Sequence, residues 1–205
     1  MTPLAVPTTR RERNKAQKRA RILQAARELF AAQGYSATTT QQVAQRADVA
    51  AGTVFQYAAT KPELLLMVMN VELAEHLARG MAVAQRARSL ETRLAALTDA
   101  LLALVAANPE NLSAYLGEVL FGEGGDHRDE ALTRVGQIQT FLGEAVAQSG
   151  RLRDGVEPQE AGRLLLSAIS LELGRTRIGV QGPATLRTRV DRQVEVALGG
   201  VLTPT

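Results

Sequence analysis

Apolar positions along the chain return every three or four residues and almost never every second one, which predicts helices and no strands. Ile22, Leu23, Ala26, Leu29 and Phe30 line one stripe of a first helix starting near Arg13, and Gly34 supplies a left-handed stop. A second helix starts at Thr39, which stands in capping-box spacing with Gln42 and leads into the small apolar face Val43, Ala44 and Ala47. A short third helix covers about Ala51 to Tyr57. The fourth opens at Thr60-Lys61-Pro62-Glu63, again in capping-box spacing with Pro in the first turn, and runs to about Arg79. Its first two turns are apolar on nearly every side, which predicts burial between two halves of the protein.

Beyond Gly80 the stripes continue. Leu90, Leu94, Leu97, Leu101 and Leu104 define a helix ended by Asn108-Pro109, and Leu112, Tyr115, Leu116, Val119 and Leu120 define one stopped at Gly122. Further helices are expected from about Arg128 to Ser149, from Pro158 to about Val180, and from about Ala184 to Leu198. The penultimate one carries two apolar stripes, Ala161-Leu164-Leu165-Ala168-Leu171 and Leu166-Ile169-Leu173. A helix with two apolar faces must bury both, which favours a subunit interface over a fully buried central helix. The class is all-α with about nine helices.

Composition narrows the function. With 205 residues, 45% hydrophobic and only 3% aromatic, the chain suits an Ala/Leu-rich bundle. The absence of cysteine removes disulfides, thiolate metal sites and thiol nucleophiles. The longest apolar run, Ala100 to Ala107, is far short of the roughly 18 residues of a membrane span, and Met1 to Thr9 has no apolar segment of signal-peptide length. A soluble cytoplasmic protein is expected.

Charge divides the chain. Residues 1–61 hold ten Lys/Arg against three acids, +7, whereas residues 62–205 hold fourteen against eighteen, −4. A basic first third on an acidic body points to a polyanion partner for that third alone. Residues 1–12, with prolines, threonines and charge but no apolar period, are expected to form a disordered basic arm.

The two short helices from Thr39 to Tyr57 have what a helix-turn-helix needs. Ala44 is small where the helices cross, Asp48 occupies the left-handed turn position, and Val49 and Val54 plug the core. The run Ile22-Leu23-(x)-Ala25-Ala26-(x2)-Leu29-Phe30-(x3)-Gly34-Tyr35-(x3)-Thr39-(x3)-Val43-Ala44-(x2)-Ala47-(x)-Val49-(x2)-Gly52-Thr53-Val54-Phe55-(x)-Tyr57-(x3)-Lys61-(x)-Glu63-Leu64-Leu65 resembles the DNA-binding domain of TetR-type transcriptional regulators. The resemblance covers about residues 13–66; beyond it only helix number and length agree.

The resemblance implies a helix-turn-helix domain over 13–61 and a helical regulatory and dimerisation domain over 62–205. It places Thr39, Thr40 and Gln41 at the phosphate-contacting start of the second helix, and Ala50, Ala51, Gly52, Thr53 and Gln56 on the recognition surface. Phe55 and Tyr57 fall on the aromatic pair that packs on the sugar-phosphate backbone. Thr60 and Lys61 fall where the fourth helix begins and a lysine reaches phosphate. Hydroxyls, Lys and helix N-terminal amides position a protein on DNA, whereas Gln41 and Gln56 have the groups to pair with an adenine edge. The chain departs from the family at Asp48, where Gly is usual, at Ala50, where Ser or Thr commonly caps, and at Ala58, where Phe is frequent. An effector cavity is implied among the central helices, with Met67, Val71, Leu101, Tyr115, Phe121, Phe141 and Glu172 as candidate lining.

Other chemistry has little to stand on. Glu72 and His76 share a helix face but lack the doubled Glu-x-x-His of a di-iron bundle, which leaves His76 and His127 as rim histidines. The loop bearing Glu123, Asp126, His127, Asp129 and Glu130 lacks EF-hand spacing. No metal, cofactor or catalytic residue is expected. The expected protein is a ligand-responsive homodimeric regulator. It acts as a repressor on a pseudo-palindromic operator and is released by a small-molecule effector. Alternatives are a sequence-independent DNA-binding protein and a helical-bundle carrier or enzyme.

Overall fold

The computed structural model describes residues 9–175 and 183–203. Nine helices are found among them: α1 Arg10–Ala37, α2 Thr40–Arg46, α3 Ala51–Phe55, α4 Lys61–Arg86, α5 Leu90–Ala107, α6 Pro109–Phe121, α7 Asp126–Gln148, α8 Pro158–Gly174 and α9 Pro183–Val201. The first three form a small head and the others a helical body. Ile22, Ala26 and Phe30 of the expected stripe are buried, with Ala25 beside them, and close on Val43, Ala44, Ala47 and Val54, while Leu23 and Leu29 are partly buried against them.

Caps define the head's corners. Thr39 accepts from the Gln42 amide while the Gln42 side chain accepts from the Thr39 amide, so the expected box forms. At Thr60 only half of the expected box forms. The hydroxyl accepts from the Glu63 amide at 3.2 Å, and the Glu63 carboxylate lies against Gly125 instead. Asp48 adopts φ 52, the left-handed conformation its position demands. Ala50 caps α3 without a side-chain hydrogen bond.

The start of α1 and the end of α4 differ from expectation. Helix α1 begins at Arg10, because Thr9 and Glu12 build a reciprocal capping box, so residues 10–12 are helical rather than a disordered arm. Residues 1–8 of that arm, and the stretch of the penultimate helix expected to reach Val180, lie outside the described residues. Helix α4 passes through Gly80 to Arg86. A Cβ at residue 80 would press on Ala96 and Ala100 of α5, so Gly80 permits a close crossing instead of ending the helix.

Helix α4 is the axis of the body. It packs along α5, touches α6 and α7, and reaches α1 in the head. Leu64 to Met69 are buried without interruption, as its all-round apolar start requires. The α7–α8 pair approaches backbone to backbone, since a Cβ at Gly143 would collide with the Pro158 carbonyl and one at Gly162 with the Gln139 carbonyl. On α8, Ala161, Leu165, Leu166, Ile169 and Leu173 are buried, but Leu164 and Leu171 remain 45% and 65% exposed. One apolar face closes the core, and part of the other stays uncovered.

Candidate nucleic-acid interface and cavity

Helix α3 is held from beneath by Val54, which is fully buried, while Ala50, Ala51, Gly52, Phe55 and Gln56 face outward and Thr53 and Tyr57 are half-buried. Phe55 is therefore a surface aromatic and not part of the head's core, unlike Phe30. At the start of α2, Thr39 and Gln41 are exposed and Thr40 half-buried. The Thr60 hydroxyl serves as a cap acceptor and keeps its proton for an outside acceptor, whereas the Thr39 hydroxyl both caps α2 and donates to the Gln42 side chain at 3.1 Å. Lys61 sits between the head and α4. Its ammonium lies 4.5 Å from the centre of the Tyr35 ring and donates to the Ser36 carbonyl at 3.1 Å.

The first turns of α1 continue this surface. Arg10, Arg11, Asn14, Lys15 and Lys18 line a groove whose other wall is Gln56 and Tyr57. The Tyr57 hydroxyl donates to the Lys15 carbonyl at 3.1 Å and fixes α1 against the end of α3. The helical form of residues 10–12 escaped the sequence reading, although Thr9-x-x-Glu12 carried the same spacing as the box recognised at Thr39.

The body holds a cavity of about 450 Å³ between α4, α5, α6, α7 and α8. Leu73, Leu101, Leu104, Leu112 and Leu166 supply apolar walls, and Ser113, Tyr115, Gln139, Ser167 and Ser170 supply polar atoms. No lining residue carries a charge. The Ser113 hydroxyl is buried without a hydrogen-bond partner. The Tyr115 hydroxyl donates to Asn70 Oδ1 at 2.9 Å, and burial raises its pKa well above the ordinary tyrosine value, so it stays protonated.

Residues 22–68, which take in most of the head and the start of α4, match the family model described as bacterial regulatory proteins, tetR family. The fold agrees with solved structures over nearly its whole length. FadR of Thermus thermophilus, a TetR-family transcriptional repressor solved with lauroyl-CoA, is 25% identical with a TM-score of 0.73, covering 91% of this chain and 96% of its own. The head thus matches the tetR family, and the whole chain has the fold of TetR-family transcriptional regulators.

FadR of Bacillus subtilis, solved with stearoyl-CoA, shares the fold at 19% identity and TM-score 0.65, over 86% of this chain and 97% of its own. SmeT, the repressor of the Stenotrophomonas maltophilia multidrug efflux pump SmeDEF, shares it at 17% identity and TM-score 0.59, over 90% of each chain. No curated protein sequence matches the chain. Among the described residues no helix is long and apolar enough to cross a membrane.

Of the residues expected around an effector, the body brings Leu101, Tyr115 and Phe121 to the cavity wall. Met67 is instead sealed in the core, and Val71 and Phe141 are half-buried away from the cavity. Glu172 is buried in a pair with Arg189 at 2.9 Å and Arg175 at 3.2 Å, which accounts for its place inside the body. The α7 and α8 walls, Val135, Ile138, Ser167 and Ser170, went unrecognised, because helical periodicity shows that a face is buried and not what it faces.

Proposed function

We propose that the chain is a homodimeric repressor that binds a pseudo-palindromic operator through α3 and leaves it when a small molecule fills the body cavity. The observation that carries this reading is the outward face of α3, flanked by the basic groove of α1. Gln41 and Gln56 read bases. Thr39, Thr40, Ala50, Ala51, Gly52, Thr53, Phe55, Tyr57, Thr60 and Lys61 position the head on the backbone and groove wall. Two copies place two such faces in successive major grooves, about 34–36 Å apart. The exposed Leu164 and Leu171 of α8 and Val196 of α9 supply apolar surface for the second copy. Residues 13–61 act as the reading head and 62–205 as the regulatory and dimerisation body.

The effector is a molecule with a long aliphatic portion. Support comes from the uncharged cavity, whose volume falls within the range of about 300–1,000 Å³ usual for small-molecule pockets, and from the lauroyl-CoA bound by the Thermus FadR. The charge-free lining suits an acyl tail and leaves a CoA head to the cavity mouth and solvent.

Selection of bound duplexes from a random pool, with and without lauroyl-CoA, tests the reading. An enriched inverted repeat whose recovery falls with lauroyl-CoA is expected. Equal affinity for selected and random duplex at fixed salt would mean a sequence-independent binder, and no duplex binding at all would leave a helical carrier.

A further inference from the structure

The cavity and the recognition helix are joined by four hydrogen-bonding residues in series. Tyr115, on the cavity wall, donates its hydroxyl to Asn70 Oδ1 at 2.9 Å. Asn70 is completely buried in α4, directly after the apolar run Leu64 to Met69, and its Nδ2 donates to the His127 carbonyl at 2.8 Å. His127 stands in the first turn of α7, and its ring Nε2 lies 2.9 Å from the Tyr57 carbonyl. A carbonyl only accepts, so Nε2 carries the proton, and Nδ1 faces Glu130 at 3.9 Å. Tyr57 follows the last turn of α3, with its amide bonded to the Val54 carbonyl at 2.9 Å and its hydroxyl to Lys15 at 3.1 Å.

We infer that Tyr115, Asn70, His127 and Tyr57 form the polar link through which the state of the cavity is read at the recognition helix. The inference rests on the reading of α3 as the DNA-contacting helix and of the cavity as the effector site. Chemistry makes this link a switch. The Asn70 amide spends its oxygen on Tyr115 and one donor on α7, at a position completely closed to solvent. A ligand atom that takes the Tyr115 proton, or a tail that displaces its ring, strands the Asn70 oxygen where no water reaches it. The amide must then turn to find a new donor. Turning pulls Nδ2 from the His127 carbonyl, and the imidazole loses its aim on Tyr57. Each link thus has two discrete arrangements, made or broken, which is what coupling between distant sites requires.

Amide hydrogen exchange on the full-length protein tests this without DNA or effector, so an unsuccessful operator selection leaves the result readable. The probes are the Tyr57 and Ala58 amides, both bonded to the Val54 carbonyl at the end of α3. Tyr115→Phe removes only the hydroxyl, and His127→Leu removes the donor on Tyr57. Each is expected to speed exchange at these two amides by about 3- to 30-fold, with the double variant no faster than the quicker single one, as residues in one coupled chain behave. His127→Gln, which keeps a side-chain donor, should restore part of the protection, and exchange in α8 should not change. Wild-type exchange at Tyr57 and Ala58 in Tyr115→Phe, or effects of the two variants that simply add, would overturn the proposal. If either variant fails to fold, Asn70→Leu, close in shape and without the amide, must show the same local loosening, and protection kept there would overturn it equally.

Discussion

Glu110, in the first turn of α6, accepts a hydrogen bond from the Ser36 backbone amide at 2.7 Å. The bond crosses from the body to the corner between α1 and α2. Beside it, Asn108 and Asn111 both donate to the Phe30 carbonyl, at 3.2 and 2.9 Å. One end of α6 thus holds the backbone groups that α1 leaves unsatisfied at its kink. Glu110→Ala removes the charged acceptor from a half-buried site and is expected to cost about 1 kcal/mol. A fall in Tm of about 2–4 °C for a chain of this size, read by thermal melting, checks it.

Gly34, at that kink, has φ 79, and a Cβ there would collide with the Glu110 carboxylate. Gly34→Ala therefore carries two costs, left-handed strain of about 1–2 kcal/mol and the collision. In a Glu110→Ala background the collision disappears and the strain stays. A double-mutant cycle of thermal or urea melts should show Gly34→Ala less destabilising in that background, and equal penalties in both would refute the contact.

Ala50 has the extended backbone of a cap residue, φ −64 and ψ 144, but no side chain to accept from α3's first amides. Ala50→Ser supplies that acceptor without changing the backbone and is expected to stabilise the protein by about 0.5–2 kcal/mol. Melting should record the gain, and slower exchange of the α3 amides should localise it.

The corner residues show how far the chain can be read before folding. Thr39 with Gln42, Asp48 in its left-handed turn and the bare cap at Ala50 were legible, because caps and turns are decided within four residues. The all-α class and the buried start of α4 followed from period alone. Gly80 and Gly34 look alike in sequence, yet one permits a helix crossing and the other bends a helix. Only the partners Ala96, Ala100 and Glu110 separate the two roles. His127 read as a rim histidine because its two partners, Asn70 and Tyr57, are 57 and 70 residues away. The cavity walls on α7 and α8 were illegible for the same reason, while the outward-facing residues of α3 lie within a short, locally determined stretch.

Glu72 gives stability a pH dependence. Burial raises its carboxyl above the ordinary value despite Arg27, whose guanidinium is 3.2 Å away. The folded state therefore holds this proton to higher pH than the unfolded chain does. The stabilisation is complete below the unfolded value, about 4.3, and is lost as pH rises through the raised folded value. Urea melts of wild type and Glu72→Gln across that range should show wild type gaining on the variant as pH falls. The opposite trend would mean that the Arg27 pair outweighs burial.

Leu164 is 45% exposed on the uncovered face of α8, so its replacement removes little from the monomer core. Opposite a second copy the same position would be buried, and a guanidinium placed there without a partner would face a desolvation penalty on both sides of the interface. Leu164→Arg is therefore expected to leave the far-ultraviolet helix signal intact while sedimentation shifts from dimer toward monomer. Because two heads on one operator bind far more tightly than either alone, the affinity for an inverted repeat should fall by about 100-fold or more, and that for a half-site far less. A variant that stays dimeric with unchanged operator affinity would move the subunit contact elsewhere on the body.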